Sequence, residues 1–297
     1  MDQKWRFRVC VALILAVAFF ICGCSNGEYQ KMGGELETMR QNIVEAEAIS
    51  AKLVEICNAQ IEDIKSYWEE YDEAIKSGEE MPEEDAEESL KETQQIYDEL
   101  LLQIDALDAL QNGQTFDGQT GSKSFDDTVT AYQMYLSDLK LSADDMKVVF
   151  DYFFDMREAL LPITEFEYVE NTSGYVDYAL MAGQLTAAVA EAQGNLADVS
   201  YPSFMQNSHN AISERIDEFQ AYNQDFSIAV QLSDPLRLAS CVYRADRITL
   251  LLTEDERSMD TDFTLQFEHA VKRLEERVKV THDELIANID ALLSAIG

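Results

Sequence analysis

Residues 36–77, LETMRQNIVEAEAISAKLVEICNAQIEDIKSYWEEYDEAIKS, decide the fold class. Apolar side chains recur here at steps of three and four residues, the spacing that places them on one face of an α-helix. The stripe consists of Leu36, Met39, Ile43, Ala46, Leu53, Cys57, Ile64, Tyr67, Tyr71 and Ala74. Flanking apolar residues widen it beyond the narrow seam of a two-stranded coiled coil, so the pattern predicts a helix that packs into a bundle. Gly78 is expected to end this helix.

Two segments interrupt the helical pattern after this helix, a short acidic one and a glycine-rich one. GEEMPEED at residues 78–85 predicts a turn, and the apolar spacing beyond it predicts a second helix. Two long amphipathic helices joined by a short turn favour an antiparallel hairpin over residues 36–111. NGQTFDGQTGSKS at residues 112–124 is predicted to be a linker loop.

Residues 125–297 carry about five or six further helical patterns. A new helix is predicted to start near Ser142, Pro162 is expected to kink or end a helix, and Asp234 followed by proline is a strong helix start. Period-2 alternation typical of strands is missing, and the chain has only 12 Gly and 4 Pro. We therefore predict an all-α multi-helix bundle of about seven or eight helices with a long N-terminal hairpin. The hairpin is expected to pack with residues 125–297 as one assembly, and two loosely joined helical units remain an alternative.

The charge of the chain is strongly acidic. Its 297 residues include 57 Asp and Glu against 22 Lys and Arg, a net charge of −35. Nucleic acid is excluded as a partner, because phosphate binding needs clustered Lys and Arg. An anionic lipid surface would also repel the body of the protein. This charge is compatible with a role in solubility alone, with binding of divalent ions, or with a cationic partner of unknown identity.

The first 23 residues have the features of an export signal. Three basic residues, Lys4, Arg6 and Arg8, precede a fifteen-residue apolar run at positions 9–23. This run is shorter than the roughly 20 residues that a membrane-spanning helix needs. A positive start followed by a short apolar segment with small residues at its end predicts a secretory signal peptide over residues 1–23.

The end of the apolar run, Ile21-Cys22-Gly23-Cys24, resembles the lipobox of bacterial lipoproteins. Ile21 stands where Leu is usual and Cys22 where Ala or Ser is usual, and both are tolerated types. The resemblance implies cleavage between Gly23 and Cys24 and a diacylglyceryl group on Cys24, and so a protein anchored on the extracytoplasmic face of the cell membrane. A plain signal peptide and an uncleaved membrane anchor are the alternatives. Cleavage would leave 19 basic and 56 acidic residues, a net charge of −37.

Residues 24–35 follow the lipobox and are polar and glycine-containing, so they predict a flexible tether between the anchor and the first helix. Farther on, LADVSYPSFMQNSHNAISERIDEFQ at residues 196–220, followed by DPLRL at 234–238, resembles a pattern in uncharacterised helical surface lipoproteins of Gram-positive bacteria. That resemblance implies no activity.

The spacing of the cysteines and histidines matches no motif for catalysis or metal binding. Cys57 and Cys241 would remain in the exported body, either as a disulfide or as buried thiols at helical apolar positions. His209, His269 and His282 fall at spacings that do not converge on one helix face, which predicts surface or boundary positions. HExxH, GxSxG and GxxxxGK[ST] are absent from the sequence. We therefore predict no catalytic residue, no metal site and no cofactor.

An aromatic cluster at Phe150, Tyr152, Phe153 and Phe154 predicts core packing, with an aromatic-lined ligand groove at Phe150 and Phe153 as the alternative. The expected function is that of a non-catalytic, lipid-anchored helical protein, which acts as an acidic interaction or scaffold module of the bacterial cell envelope. The alternative is a ligand- or cation-binding lipoprotein with a pocket between helices. An enzyme with a site assembled across helices is a third hypothesis.

Overall fold

The fold is all-α, as predicted. In the computed structural model, residues 26–78, 86–113, 116, 122–164, 166 and 175–296 are described, and within them there are six α-helices, one short 3-10 helix and no strand. The helices are α1 Asn26–Ser77, α2 Ala86–Asn112, α3 Lys123–Thr164, α4 Tyr175–Asp198, the 3-10 helix Ser203–Met205, α5 Gln206–Gln231 and α6 Pro235–Ile296. The prediction of a multi-helix bundle is therefore confirmed.

Helix α1 begins ten residues earlier than the sequence pattern predicts. It starts at Asn26, so residues 26–35 are helical and the flexible tether predicted over 24–35 is wrong for that part. Met32 explains the difference, because it lies four residues before Leu36 on the apolar stripe and both side chains are fully buried. This burial outweighs the helix-propensity cost of Gly33 and Gly34, which is about 1 kcal/mol each.

Helix α3 is continuous where the sequence predicts a new helix start. Ser142 Oγ donates a hydrogen bond to the Asp138 carbonyl at 3.0 Å, four residues back, so this serine lies in a helix interior and caps nothing. The apolar stripe continues through it, with Leu139, Ala143 and Met146 all buried. Pro162 lies in the last turn of the helix, which ends at Thr164, as predicted.

Two predicted helix boundaries are confirmed in detail. Gly78 follows α1 with φ of 70°, the left-handed conformation that glycine adopts most readily at a helix end. Asp234 caps α6, since its Oδ1 accepts hydrogen bonds from the backbone N–H groups of Leu236 and Arg237, both at 3.1 Å.

The chain divides into two compact units. Unit 1 contains the described residues up to 55, with 101–144 and 270–296, and unit 2 contains 56–100 and 145–269. Each unit combines parts of the predicted hairpin 36–111 with parts of 125–297, so the division does not follow the linker at 112–124. The core of unit 1 includes Leu36, Met39, Ile43, Phe125, Leu139, Leu274 and Ile289, and that of unit 2 includes Phe150, Phe153, Met156, Ile212, Phe263 and Phe267.

A membrane-spanning helix is not found in the described part of the chain, where no helix combines the necessary length with sufficient apolar character.

Candidate ligand-binding site

The residues of the predicted anchor, Gly23 and Cys24, lie outside the described residues. Lipidation and cleavage at this position therefore stay predictions from the lipobox resemblance.

Phe150 and Phe153 form the core of unit 2. Both side chains are fully buried, and their ring centroids lie 4.6 Å from those of Phe267 and Phe263, respectively. Such close edge and tilted contacts are typical of a packed aromatic core. The structure therefore supports the core-packing interpretation, and neither ring lines the two cavities described below.

Cys57 and Cys241 are free thiols, so the disulfide left open by the sequence is not formed. Each lies buried on the apolar face of a helix, Cys57 on α1 and Cys241 on α6. Burial raises the pKa of the Cys57 thiol to about 12. This thiol is therefore neutral and unreactive at physiological pH.

The histidines differ from one another in their surroundings. His209 is buried, contrary to the predicted surface or boundary position, because its ring stacks on Tyr201 at 4.2 Å and its Nδ1 lies 3.2 Å from Tyr152 Oη. Burial lowers the pKa of His209, which favours the neutral imidazole. His269 is exposed, and His282 Nε2 lies 3.4 Å from a Glu47 carboxylate oxygen. Across the described ranges, no group of three or more His, Cys, Asp or Glu side chains could hold a metal ion.

A cavity of about 260 Å³ lies within unit 2, between the parts of α1, α2, α3 and α6 that belong to that unit. Its apolar wall includes Trp68, Leu90, Leu160, Leu161 and Met259, and its charged groups are Arg157, Glu256 and Asp260. An apolar wall with a few converging polar groups is the usual composition of a small-molecule site.

Trp68 is fixed on the cavity wall from both sides. Its indole Nε1 donates a hydrogen bond to Asp260 Oδ2 at 2.9 Å, and both residues are buried. The guanidinium of Arg257 lies 5.3 Å from the centroid of the indole ring and forms two hydrogen bonds with Asp72, at 2.7 and 2.9 Å. This bidentate pair holds the cation over the ring, so the indole has a defined orientation.

Arg157 is held without a carboxylate. Its Nη1 donates to Ser89 Oγ at 3.1 Å, and its guanidinium lies 4.8 Å from the ring centroid of Phe153. No carboxylate lies within ion-pair distance of it among the residues that the structure describes. Because guanidinium carries five N–H donors, most of its donors remain for another partner.

Glu256 is the most perturbed acid of the cavity. Burial, and then the negative charge of Asp260, raise its pKa to about 7, with Asp255 adding to the effect and Arg157 opposing it. In the described part of the chain, Glu256 has no hydrogen-bond or ion-pair partner. Near neutral pH this carboxyl therefore exists in both protonation states and is open to a ligand.

A second depression, of about 490 Å³, lies elsewhere in unit 2 beside Lys147, Asp151, Asp155 and Tyr201. Its central charges satisfy each other, since Lys147 Nζ lies 2.7 Å from both Asp151 carboxylate oxygens. A ligand would have to compete with this pair, so the first cavity is the better candidate.

Sequence reasoning missed this cavity, although one signal for it exists. On α6 the buried stripe runs through Ile248, Met259 and Phe263 at helical spacing. Glu256 and Asp260 stand on the same side, one turn apart, where apolar residues would continue the stripe. Acids that interrupt a buried stripe indicate a polar site.

Comparison with protein-family models, with curated proteins and with solved structures finds no match for this chain. Its residues and their geometry therefore carry the functional proposals.

Proposed function

We propose that this protein is a non-catalytic, lipid-anchored helical module that acts on the extracytoplasmic face of the bacterial cell membrane. Diacylglyceryl-modified Cys24 would hold it at the membrane, and its acidic body would bind or organise a cationic partner in the envelope. The lipobox resemblance at residues 21–24 supports the anchor. Two acyl chains give stable attachment, whereas one gives only marginal binding.

The observation that carries the interaction half of this proposal is the unneutralised acidic charge of the body. Many described cations are already engaged by acids of the same chain, among them the pairs Arg40–Asp290, Lys65–Glu268, Lys140–Asp108, Arg215–Asp255 and Arg257–Asp72. Each of these pairs uses one acid for one cation. The net charge of −37 is therefore not reduced by them and stays on the surface. A surface of this kind accelerates association with a basic partner, and salt weakens the effect.

Substitution of Cys24 tests the anchor. Cys24→Ser should move the protein from the membrane fraction to the medium or leave it as an uncleaved precursor, because serine cannot carry the thioether. Cys22→Ser is the matched control and should leave processing and membrane attachment unchanged, since serine is a usual residue there. Mature, membrane-bound Cys24→Ser protein would contradict the anchor.

Crosslinking of the intact anchored protein, followed by quantitative identification of co-purified proteins, tests the interaction half. We expect a basic envelope protein that is recovered at low ionic strength and lost as salt is raised. Recovery of lipid and ions alone, without a protein partner, would contradict the interaction hypothesis.

A second function, binding of a small molecule, is favoured by the cavity of unit 2. Arg157 and Glu256 both line this space, and within the described chain Arg157 donates one side-chain hydrogen bond and Glu256 has none. Both side chains are half-buried and are not fully used by the described chain, so they are available to pair with a ligand. Native mass spectrometry of the protein released from its own membrane should reveal a small mass beyond polypeptide and anchor. A mass accounted for by polypeptide and anchor alone would count against this function.

A further inference from the structure

We propose that the cavity of unit 2 binds a free α-amino acid with an apolar side chain, with Arg157 at its carboxylate and Glu256 at its ammonium group. This inference rests on the ligand-binding function proposed above and names the chemical class of the ligand.

The volume of the cavity limits the size of the ligand. An engineered cavity of about 150 Å³ in another protein binds benzene, which has six heavy atoms. On the same scale, the 260 Å³ found here would hold roughly ten heavy atoms. Leucine has nine, so its size matches the volume of the cavity. The cavity therefore fits a single small metabolite.

Arg157, the cation among the described lining residues, fits a carboxylate. Arg157 is positioned by a hydroxyl and an aromatic ring, although the chain offers 57 acidic residues with which it could pair. A guanidinium placed in this way keeps N–H donors in the fork geometry that matches a carboxylate. A simple anion would pair with Arg157 but would be repelled by Glu256 and Asp260, which line the same cavity.

Glu256, which also lines the cavity, fits an ammonium group. Glu256 has no described partner, while Asp260, one turn along α6, already accepts the Trp68 hydrogen bond. A simple amine would satisfy these acids but would share a poorly solvated space with Arg157, which repels it. A zwitterion offers a carboxylate to Arg157 and an ammonium group to Glu256 at once, so both charges are paired.

The apolar wall supplies the place for a side chain. Trp68, Leu160 and Met259 are all buried and all line the cavity. Removing an aliphatic side chain from water against this wall favours binding. An amino acid with a polar side chain would lose this contribution and would also bury an unsatisfied group.

Proton linkage follows from the same geometry. Three charged groups act on Glu256, namely Asp260 and Asp255 from α6 and Arg157 from α3, and the titratable Tyr67 from α1 lines the same cavity. An ammonium ligand favours the ionised carboxylate, so binding to a carboxyl with a pKa of about 7 releases a proton. The apparent affinity should therefore fall about tenfold between pH 8 and pH 6, because the ionised fraction falls by that factor.

The test uses the mature protein proposed above, residues 24–297, in detergent, in which Trp68 is the only tryptophan. Four probes with the same isobutyl group are titrated against Trp68 fluorescence: L-leucine, 3-methylbutan-1-amine without the carboxylate, 4-methylpentanoic acid without the ammonium group, and 3-methylbutan-1-ol without either charge. We expect saturable binding of leucine and affinities lower by more than about tenfold for the other three, since each leaves a charged group unpaired. Glu256→Gln should weaken leucine binding, and the exposed Glu254→Gln on the same helix should not.

The probe series separates two kinds of failure and needs no folded variant. Equal or tighter binding of the amine, the acid or the alcohol overturns the amino-acid inference and keeps the ligand-binding function. Absence of saturation with all four probes at millimolar concentration overturns the inference and counts against the ligand-binding function as well. If the affinity for leucine does not change between pH 8 and pH 6, Glu256 does not bind the ammonium group of the ligand.

Discussion

Replacing Glu256 by glutamine is expected to stabilise the protein, and to do so more at high pH. The free carboxyl pKa of 4.5 is raised to about 7 in the folded protein, chiefly by burial and then by Asp260. Each unit of pKa corresponds to about 1.4 kcal/mol, so the ionised side chain opposes folding by roughly 3 kcal/mol at most. Water inside the cavity screens the charge and reduces this figure. Glutamine keeps the shape of the neutral acid and carries no charge.

The sign of the pH dependence follows from the direction of the shift. A group whose pKa is raised by folding favours the folded state at low pH, and this advantage disappears as pH rises from 4.5 through 7. The glutamine variant should therefore exceed the wild type in free energy of unfolding by roughly 1 kcal/mol at pH 5 and by up to about 3 kcal/mol at pH 8. The difference in free energy of unfolding between the two proteins grows between pH 4.5 and pH 7 and levels off above this range.

Urea unfolding followed by circular dichroism, at several pH values between 5 and 8, measures this difference. Other carboxylates are common to both proteins, so their titration cancels in the comparison. Glu254→Gln is the matched control, because Glu254 is exposed two residues away on the same helix. A difference between Glu256→Gln and wild type that is constant over this pH range, or a destabilised variant, would refute the reasoning about the cavity.

Three further outcomes follow from the packing, the cap and the buried thiol. Phe153→Ala should lower the free energy of unfolding by about 3–5 kcal/mol, because Phe153 is fully buried among aromatic rings; the exposed Leu236→Ala should change it by no more than about 0.5 kcal/mol. Asp234→Ala should lower the free energy of unfolding by about 1 kcal/mol, because the two cap hydrogen bonds of α6 are lost. Cys57 should resist a thiol reagent in the native protein and react after denaturation, since burial raises its pKa to about 12; rapid native labelling would contradict this.

The helical fold could be predicted from the sequence because it depends on local spacing. The apolar stripe from Leu36 to Ala74 requires only the period of the α-helix, and Gly78 and Asp234 are read from one or two residues. The errors arose where burial overrides a local signal. Ser142 resembles a cap, but the stripe on both sides of it is buried, and Met32 extends α1 across two glycines.

The cavity could not be predicted because its residues come from four helices. Trp68, Ser89, Arg157 and Glu256 are far apart in the sequence, and each alone has an ordinary explanation as a core or surface residue. Only packing brings Arg157 and Glu256 to one space. For the same reason, the burial of His209 beside Tyr152 and Tyr201 could not be read from its own segment.

Mass spectrometry of the N-terminal peptide of the native protein, purified from membranes, tests the proposed place of action most directly. The proposed function predicts a peptide that begins at Cys24 and carries a diacylglyceryl group, with residues 1–23 removed. A peptide that retains the apolar run at 9–23, or one that begins at an unmodified residue, would contradict lipid anchoring at Cys24.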